Sequence, residues 1–127
     1  MKITIVRQGI RTNEMYFSSD FGEGKGIWCG GGPALPGEVR EAEFELPALL
    51  MRWVDIIPAP AADGSGIRMD GEHIVLTGIL ENIEEDGTAC LQLGSDLIMF
   101  ECLGEPMALG GQVELRTREL MIYPVNL

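Results

Sequence analysis

Residues 73–104 read HIVLTGILENIEEDGTACLQLGSDLIMFECLG, and residues 112–123 read QVELRTRELMIY. The pattern predicts four strands in a row joined by tight turns, with the rest of the chain leading into that meander and covering it. Asp86-Gly87 and Gly94-Ser95 sit between apolar runs. Glycine reaches positive φ without steric cost, so both dipeptides mark hairpins. A three-residue loop at Glu85-Asp86-Gly87, with Gly87 left-handed at a bulge, sets Ile83 opposite Ala89 and Ile79 opposite Leu93. A two-residue loop at Gly94-Ser95 sets Leu91 opposite Ile98 and Ala89 opposite Phe100. The loops are independent, yet both place Ala89, Leu91 and Leu93 on one buried face. A one-residue slip would reverse every partner, because side chains alternate with period two. Glu81 then lands opposite Leu91, a misfit read as a barrel rim or a bulge.

The last apolar stretch changes phase. Val113 and Leu115 are apolar at odd positions, Leu120 and Ile122 at even ones. The switch across Thr117-Arg118-Glu119 predicts a bulge, or a strand that bends from one sheet region into another. Ile74, Val75, Leu76, Ile79 and Leu80 are apolar on both parities, as in a strand buried on both faces or shared at a barrel corner. The fold class expected is all-β: a small, strongly curved antiparallel barrel, OB-like or similar, with a glycine-rich loop in the N-terminal third.

The chain has 127 residues, one domain's worth. We expect a single β-barrel domain over residues 1–127, with N-terminal strands and the glycine-rich loop in 1–37 and the barrel core in 38–127. A hydrophobic content of 46% excludes a wholly disordered chain. No apolar run approaches the ~20 residues of a membrane span, and the apolar part of MKITIVRQGIR is too short for a signal peptide. Cys29, Cys90 and Cys102 make an odd count, which fits reduced, buried thiols. The expectation is a cytoplasmic protein with no membrane partner. A net charge of -11, from 9 basic and 20 acidic residues, repels nucleic-acid backbones and attracts basic partners.

Ahead of the meander, residues 2–7 (KITIVR) alternate and form a strand, and Met15-Tyr16-Phe17 a short second one. Residues 18–37 carry seven glycines and two prolines and read as the loosest part of the chain. No Gly-Lys-Ser/Thr ending supports a phosphate loop there. Trp28 interrupts the glycines, either pinning the segment to the barrel or forming part of a binding surface. Residues 38–46 (EVREAEFEL) predict a strand with Ala42, Phe44 and Leu46 inward and Glu41, Glu43 and Glu45 outward. That glutamate face reads either as solvated protection of an exposed edge or as a docking surface. Residues 47–57 fit a helix opened by Pro47 or a strand, and the β-branched run 54–57 favours the strand. Residues 58–66 read as a loop, 67–69 as a short strand and Asp70-Gly71 as a turn.

The residues offer little catalytic chemistry. His73 is the single histidine, and no C-x-x-C pair accompanies it, so we expect no metal site. Ser18, Ser19, Ser65 and Ser95 lie outside any G-x-S-x-G elbow, and nothing sets Cys29, Cys90 or Cys102 beside His73. Glu84-Glu85-Asp86 sits at a hairpin tip, where solvent should leave the carboxylates ordinary. Residues 73–95 hold no aromatic, Lys or Arg, unlike OB barrels that stack single-stranded nucleic acid on aromatics over a basic face. The expected function is therefore a non-catalytic acidic module, without cofactor, that docks a basic protein. Its candidate contacts are Trp28, Glu41, Glu43, Glu45 and Trp53. A small-molecule binder or enzyme with a pocket at the barrel mouth is the alternative, and a structural homodimer a third reading.

Overall fold

The computed structural model describes residues 1–125, and among these the chain is almost entirely strand. Eleven strands follow in order: β1 (Lys2–Gln8), β2 (Glu14–Ser19), β3 (Gly22–Trp28), β4 (Val39–Met51), β5 (Ile56–Pro58), β6 (Gly66–Asp70), β7 (His73–Ile83), β8 (Thr88–Leu93), β9 (Asp96–Leu103), β10 (Gln112–Thr117) and β11 (Met121–Pro124). A single 3-10 turn lies at Ala61–Asp63, and no helix is long and apolar enough to cross a membrane. The pairings β1-β2-β3-β6-β7-β8-β9-β4 return to β1 and close an eight-strand barrel. β11 lies between β3 and β4, so β1, β2, β3, β11 and β4 also close a ring of five. Residues 1–28 thus supply three of the barrel's eight strands.

The hairpins follow from their turn residues. Gly87 has φ 92° and Gly94 φ 62°, the left-handed conformations both turns require. Ile83 pairs with Ala89, Leu91 with Ile98 and Ala89 with Phe100, the partners that the two loops dictate. Ala89, Leu91 and Leu93 are all buried. Ile79, expected opposite Leu93, pairs instead with Gln92, because a register shift between Leu80 and Asn82 absorbs one residue at Glu81. The bulge keeps Leu80 opposite Leu91 in the core and turns Glu81 out to solvent.

The meander stops at three strands. β10 turns away from β9 to pair with β7 and β5, and β11 pairs with β3 and β4. The phase change at residues 117–119 is therefore a real break between two sheet regions. Pairing is not antiparallel throughout: β4–β9, β3–β11 and β3–β6 are parallel. None of these pairs is joined by a hairpin, so no turn imposes the antiparallel sense.

β3 overturns the reading of residues 18–37 as loose in its first part, 22–28, whereas residues 29–37 form no strand or helix. Gly22, Gly24 and Gly26 alternate, so they share one face of a strand, and that face is where neighbours come closest. A Cβ on Gly26 would meet the Leu120 carbonyl oxygen at 2.6 Å, and one on Gly24 the Phe17 ring at 2.9 Å. Glycine here is needed for close approach, not for flexibility. β4 also differs from expectation, because it is flanked by β1, β9 and β11 and is no edge. It continues through Pro47 to Met51, after which residues 52–55 form a turn into β5, so no helix forms over 47–57.

Val75 completes the account of β7. Ile74 and Leu76 enter the core, whereas Val75 points to the outer face yet is fully buried. Its direct partners are Arg68 on one side and Arg116 on the other. These arginines pair with Glu114 and Asp70 respectively, and their aliphatic stems cover the valine. The Arg116 hydrogen bond holds the Asp70 carboxyl below its usual range.

Two predictions follow from this packing. Gly24→Ala and Gly26→Ala should each lower stability by about 1–3 kcal/mol through overpacking. Gly31→Ala, at a site with open space, should stay within about 0.5 kcal/mol; urea unfolding separates the cases. Because the Asp70 pKa is depressed, its pairing persists above the ordinary carboxylate range and is lost as pH falls through the depressed value. A carboxyl-carbon NMR titration should place the Asp70 midpoint below that of a model aspartate, and Arg116→Gln should return it upward.

Candidate functional site

Two surface features combine unusual composition with defined geometry. The first is the outer face of β4 and β9. Glu41, Glu43 and Glu45 project outward from β4 while Ala42, Phe44 and Leu46 are buried, as the alternation requires. The parallel ladder sets Glu45 beside Met99, Leu49 beside Glu101 and Met51 beside Leu103. On the other flank, Tyr123 lies opposite Glu43 and Met121 opposite Glu45. Leu97 is 57% exposed, Met99 49% and Leu103 49%. The result is a face on which apolar side chains and carboxylates alternate across strands. Glu43, Glu45 and Glu101 have no basic group within ion-pairing distance among the described residues. Partial burial, with the Cys29 thiol and the Glu45 carboxylate nearby, pushes the Tyr123 phenol pKa upward.

The sequence candidates divide on this map. Glu41, Glu43 and Glu45 lie together on the outer face. Trp53 follows Met51 in the turn after β4, half exposed, with φ 71°. Its indole N–H donates to the Pro106 carbonyl at 3.2 Å. Arg52 donates to the Gly104 and Glu105 carbonyls, so the turn is tied to the loop after β9. Trp28 is separate from this group. It is 6% exposed, its Nε1–H donates to the Gly32 carbonyl at 2.8 Å, and Arg40 lies over its ring at 5.2 Å. Its place is that of a pin holding the segment after β3, and it offers a partner little surface. Leu97, Met99 and Leu103 were missed by the sequence reading. Their signal was present: β9 is apolar on both parities, and the buried set Ile98, Phe100 and Cys102 already fills the inner one.

The second feature is an open cleft of about 560 Å³. β11 begins against β4 opposite Glu45, and the β4–β9 register shifts between Glu45 and Leu49. Pro47, which has no N–H to offer a ladder, sits in that irregular stretch. With Ala48 it forms one wall of the gap; Arg11, Glu14, Lys25, Glu72, Arg118 and Glu119 supply the charged lining. Arg11 pairs with Glu119 at 2.5 Å, and Arg118 with Glu72 at 3.6 Å. The hydrogen bond that Arg11 donates to the Glu119 carboxylate raises the Arg11 pKa further. Glu14 is buried at 8% exposure and accepts the Ile10 N–H at 3.2 Å. A smaller hollow of about 110 Å³, walled by Trp28 and Ala34, adjoins it and shares Arg11 and Glu14.

No other arrangement suggests reaction chemistry. Among the described residues, no group of three or more His, Cys, Asp or Glu side chains is placed to hold a metal ion. The three cysteines are unpaired, and burial with the nearby Glu81 carboxylate raises the Cys90 thiol pKa. The hairpin-tip carboxylates were expected to be ordinary, and Asp86 is not. Asp86 accepts the Thr88 N–H at 2.9 Å, which holds its carboxyl below the usual range and makes it a turn cap. Comparison of the chain with protein-family models, curated proteins and solved structures finds no match.

The contrasting tryptophan environments can be read by fluorescence. Trp53→Phe should leave a blue-shifted emission from Trp28 that iodide quenches poorly. Trp28→Phe should leave a red-shifted, readily quenched emission from Trp53. Equal quenching of the two variants would contradict these positions.

Proposed function

We propose that the protein is a non-catalytic docking module whose outer β4–β9 face receives a basic, amphipathic protein segment. One observation carries this reading: exposed Leu97, Met99, Leu103, Leu49 and Met51 are interleaved with Glu43, Glu45 and Glu101, and these carboxylates make no ion pair among the described residues. Apolar contacts of this kind provide the desolvated centre of an interface, and the carboxylates steer a cationic partner and fix its register. Trp53 lies beside Met51 at the end of the same strand, where a large aromatic can serve as an anchor.

A second copy of the chain fits this face less well. A two-fold interface apposes the same patch from each subunit. It would bring unpaired glutamates together between two chains that each carry -11, and like charges at an interface cost several kcal/mol. The five-strand ring β1-β2-β3-β11-β4 is the part of the barrel we read as OB-like, but fold analogy alone assigns no nucleic-acid ligand, and the carboxylates oppose one. Three unpaired thiols support a reducing, cytoplasmic setting.

The test compares capture from native extract by the wild type, by Glu43→Gln/Glu45→Gln/Glu101→Gln, by Leu97→Ser/Met99→Ser, and by Lys2→Gln as a surface control. The expected result is a basic protein held by wild type and control, released at high salt. The glutamine variant should slow its association about tenfold, and the serine variant should lose it. Retention of the same protein by both face variants would refute the assignment. A dimer in light scattering that Leu97→Ser/Met99→Ser disperses would give the face to a second copy instead.

A further inference from the structure

We infer that the cleft between β3, β4 and the β10–β11 turn is a binding site for a small zwitterion, a molecule carrying one carboxylate and one ammonium group. Its charge content departs from that of the rest of the protein. Of 9 basic residues in a chain of net charge -11, Arg11, Lys25 and Arg118 converge here from three distant segments, facing Glu14, Glu72 and Glu119. The lining is neutral in sum, and once its two ion pairs are formed it leaves one charge of each sign, Lys25 and Glu14, which suits a neutral ligand with separated charges better than a simple anion or cation.

Two groups remain to receive such a ligand. Arg11 is paired with Glu119, and Arg118 with Glu72. Lys25 makes no ion pair among the described residues, although it is half buried on β3. Glu14 is nine-tenths buried, lines the cleft, and among the described residues makes no ion pair either. Its one side-chain hydrogen bond is accepted from the Ile10 N–H at 3.2 Å, so no direct ion pair balances its charge. A ligand ammonium at Glu14 would supply the missing counter-charge, and a ligand carboxylate at Lys25 would complete the second pair. The backbone braces this position. Asn13, immediately before Glu14, holds φ 61°, and its carbonyl accepts the Trp28 N–H at 2.8 Å. The volume of about 560 Å³ falls within the range of ligand pockets. Glu43, Glu45, Leu97, Met99 and Leu103 do not line the cleft, so this site stands or falls apart from the docking face.

Amide NMR titration of the intact protein tests it with named probes. These are the common free amino acids, β-alanine, γ-aminobutyrate, which widen the spacing between the charges, and glycylglycine, which presents them as peptide termini. Acetate and methylammonium supply each charge alone. At least one zwitterion should perturb the amides of Glu14, Lys25 and Ala48, binding about tenfold or more tightly than either one-charge probe. A response confined to glycylglycine would identify peptide termini as the source, and one to the free amino acids a single residue. Lys25→Gln should weaken that binding about tenfold while leaving the rest of the spectrum unchanged, and Glu14→Gln should do the same if it folds. No response to any zwitterion, equal binding of acetate or methylammonium, or unchanged affinity in Lys25→Gln would each overturn the assignment.

Discussion

Strand β4 is the constraint on which the rest of the structure depends. It pairs with β1 through residues 39–41, with β11 through 42–45 and with β9 from Glu45 to Met51. Both closures, the ring of five and the barrel of eight, pass through it. Its inner residues Ala42, Phe44, Leu46 and Leu50 are buried, and Phe44 meets Phe17 of β2 with ring centroids 5.3 Å apart. A strand held from three sides cannot slip by one residue without exposing that entire set. The same register fixes what the outer face presents, since Glu43 and Glu45 are outward for the reason that Phe44 is inward.

The parts of the fold legible in the sequence are those decided locally. Turn residues and period-two patterning set the β7–β8–β9 register, and the misplaced Glu81 marked its own bulge. The phase change from Val113 and Leu115 to Leu120 and Ile122 located the break between β10 and β11. What failed was non-local or rested on composition. Seven glycines suggested looseness, whereas the spacing of Gly22, Gly24 and Gly26 carried a strand signal that counting residues conceals. Nothing near residue 45 announces that β9 and β11 will flank it, so a central strand looked like an edge. The partners of β10 and the parallel pairings likewise depend on segments far apart in the chain.

The candidate sites show the same division. The glutamate row on β4 was readable because it lies on one strand. The apolar half of that face comes from β9 and becomes visible only once the two strands are known to be neighbours. The cleft draws on residues 11 to 119, and its charges look unremarkable one at a time. Even Glu14 reads as the last residue of a polar turn until its burial is known.

Fold stability alone gives no reason for that burial. The carboxylate occupies a place beside Gly9, where a Cβ would meet Glu14 Oε1 at 2.2 Å, so the backbone has left room for it. A buried hydrophobe there would avoid the desolvation cost of a carboxylate, and such replacements are often neutral or stabilising. Elsewhere the arginines serve the fold: Arg68 and Arg116 cover Val75, and Arg52 ties a turn to a loop. Lys25 makes no ion pair among the described residues, and Glu14 caps the Ile10 N–H without an ion pair to balance it. Opposite charges left without ion pairs among the described residues of one cleft are what remains when packing has been accounted for, and the binding proposed above would give that remainder a physical reason.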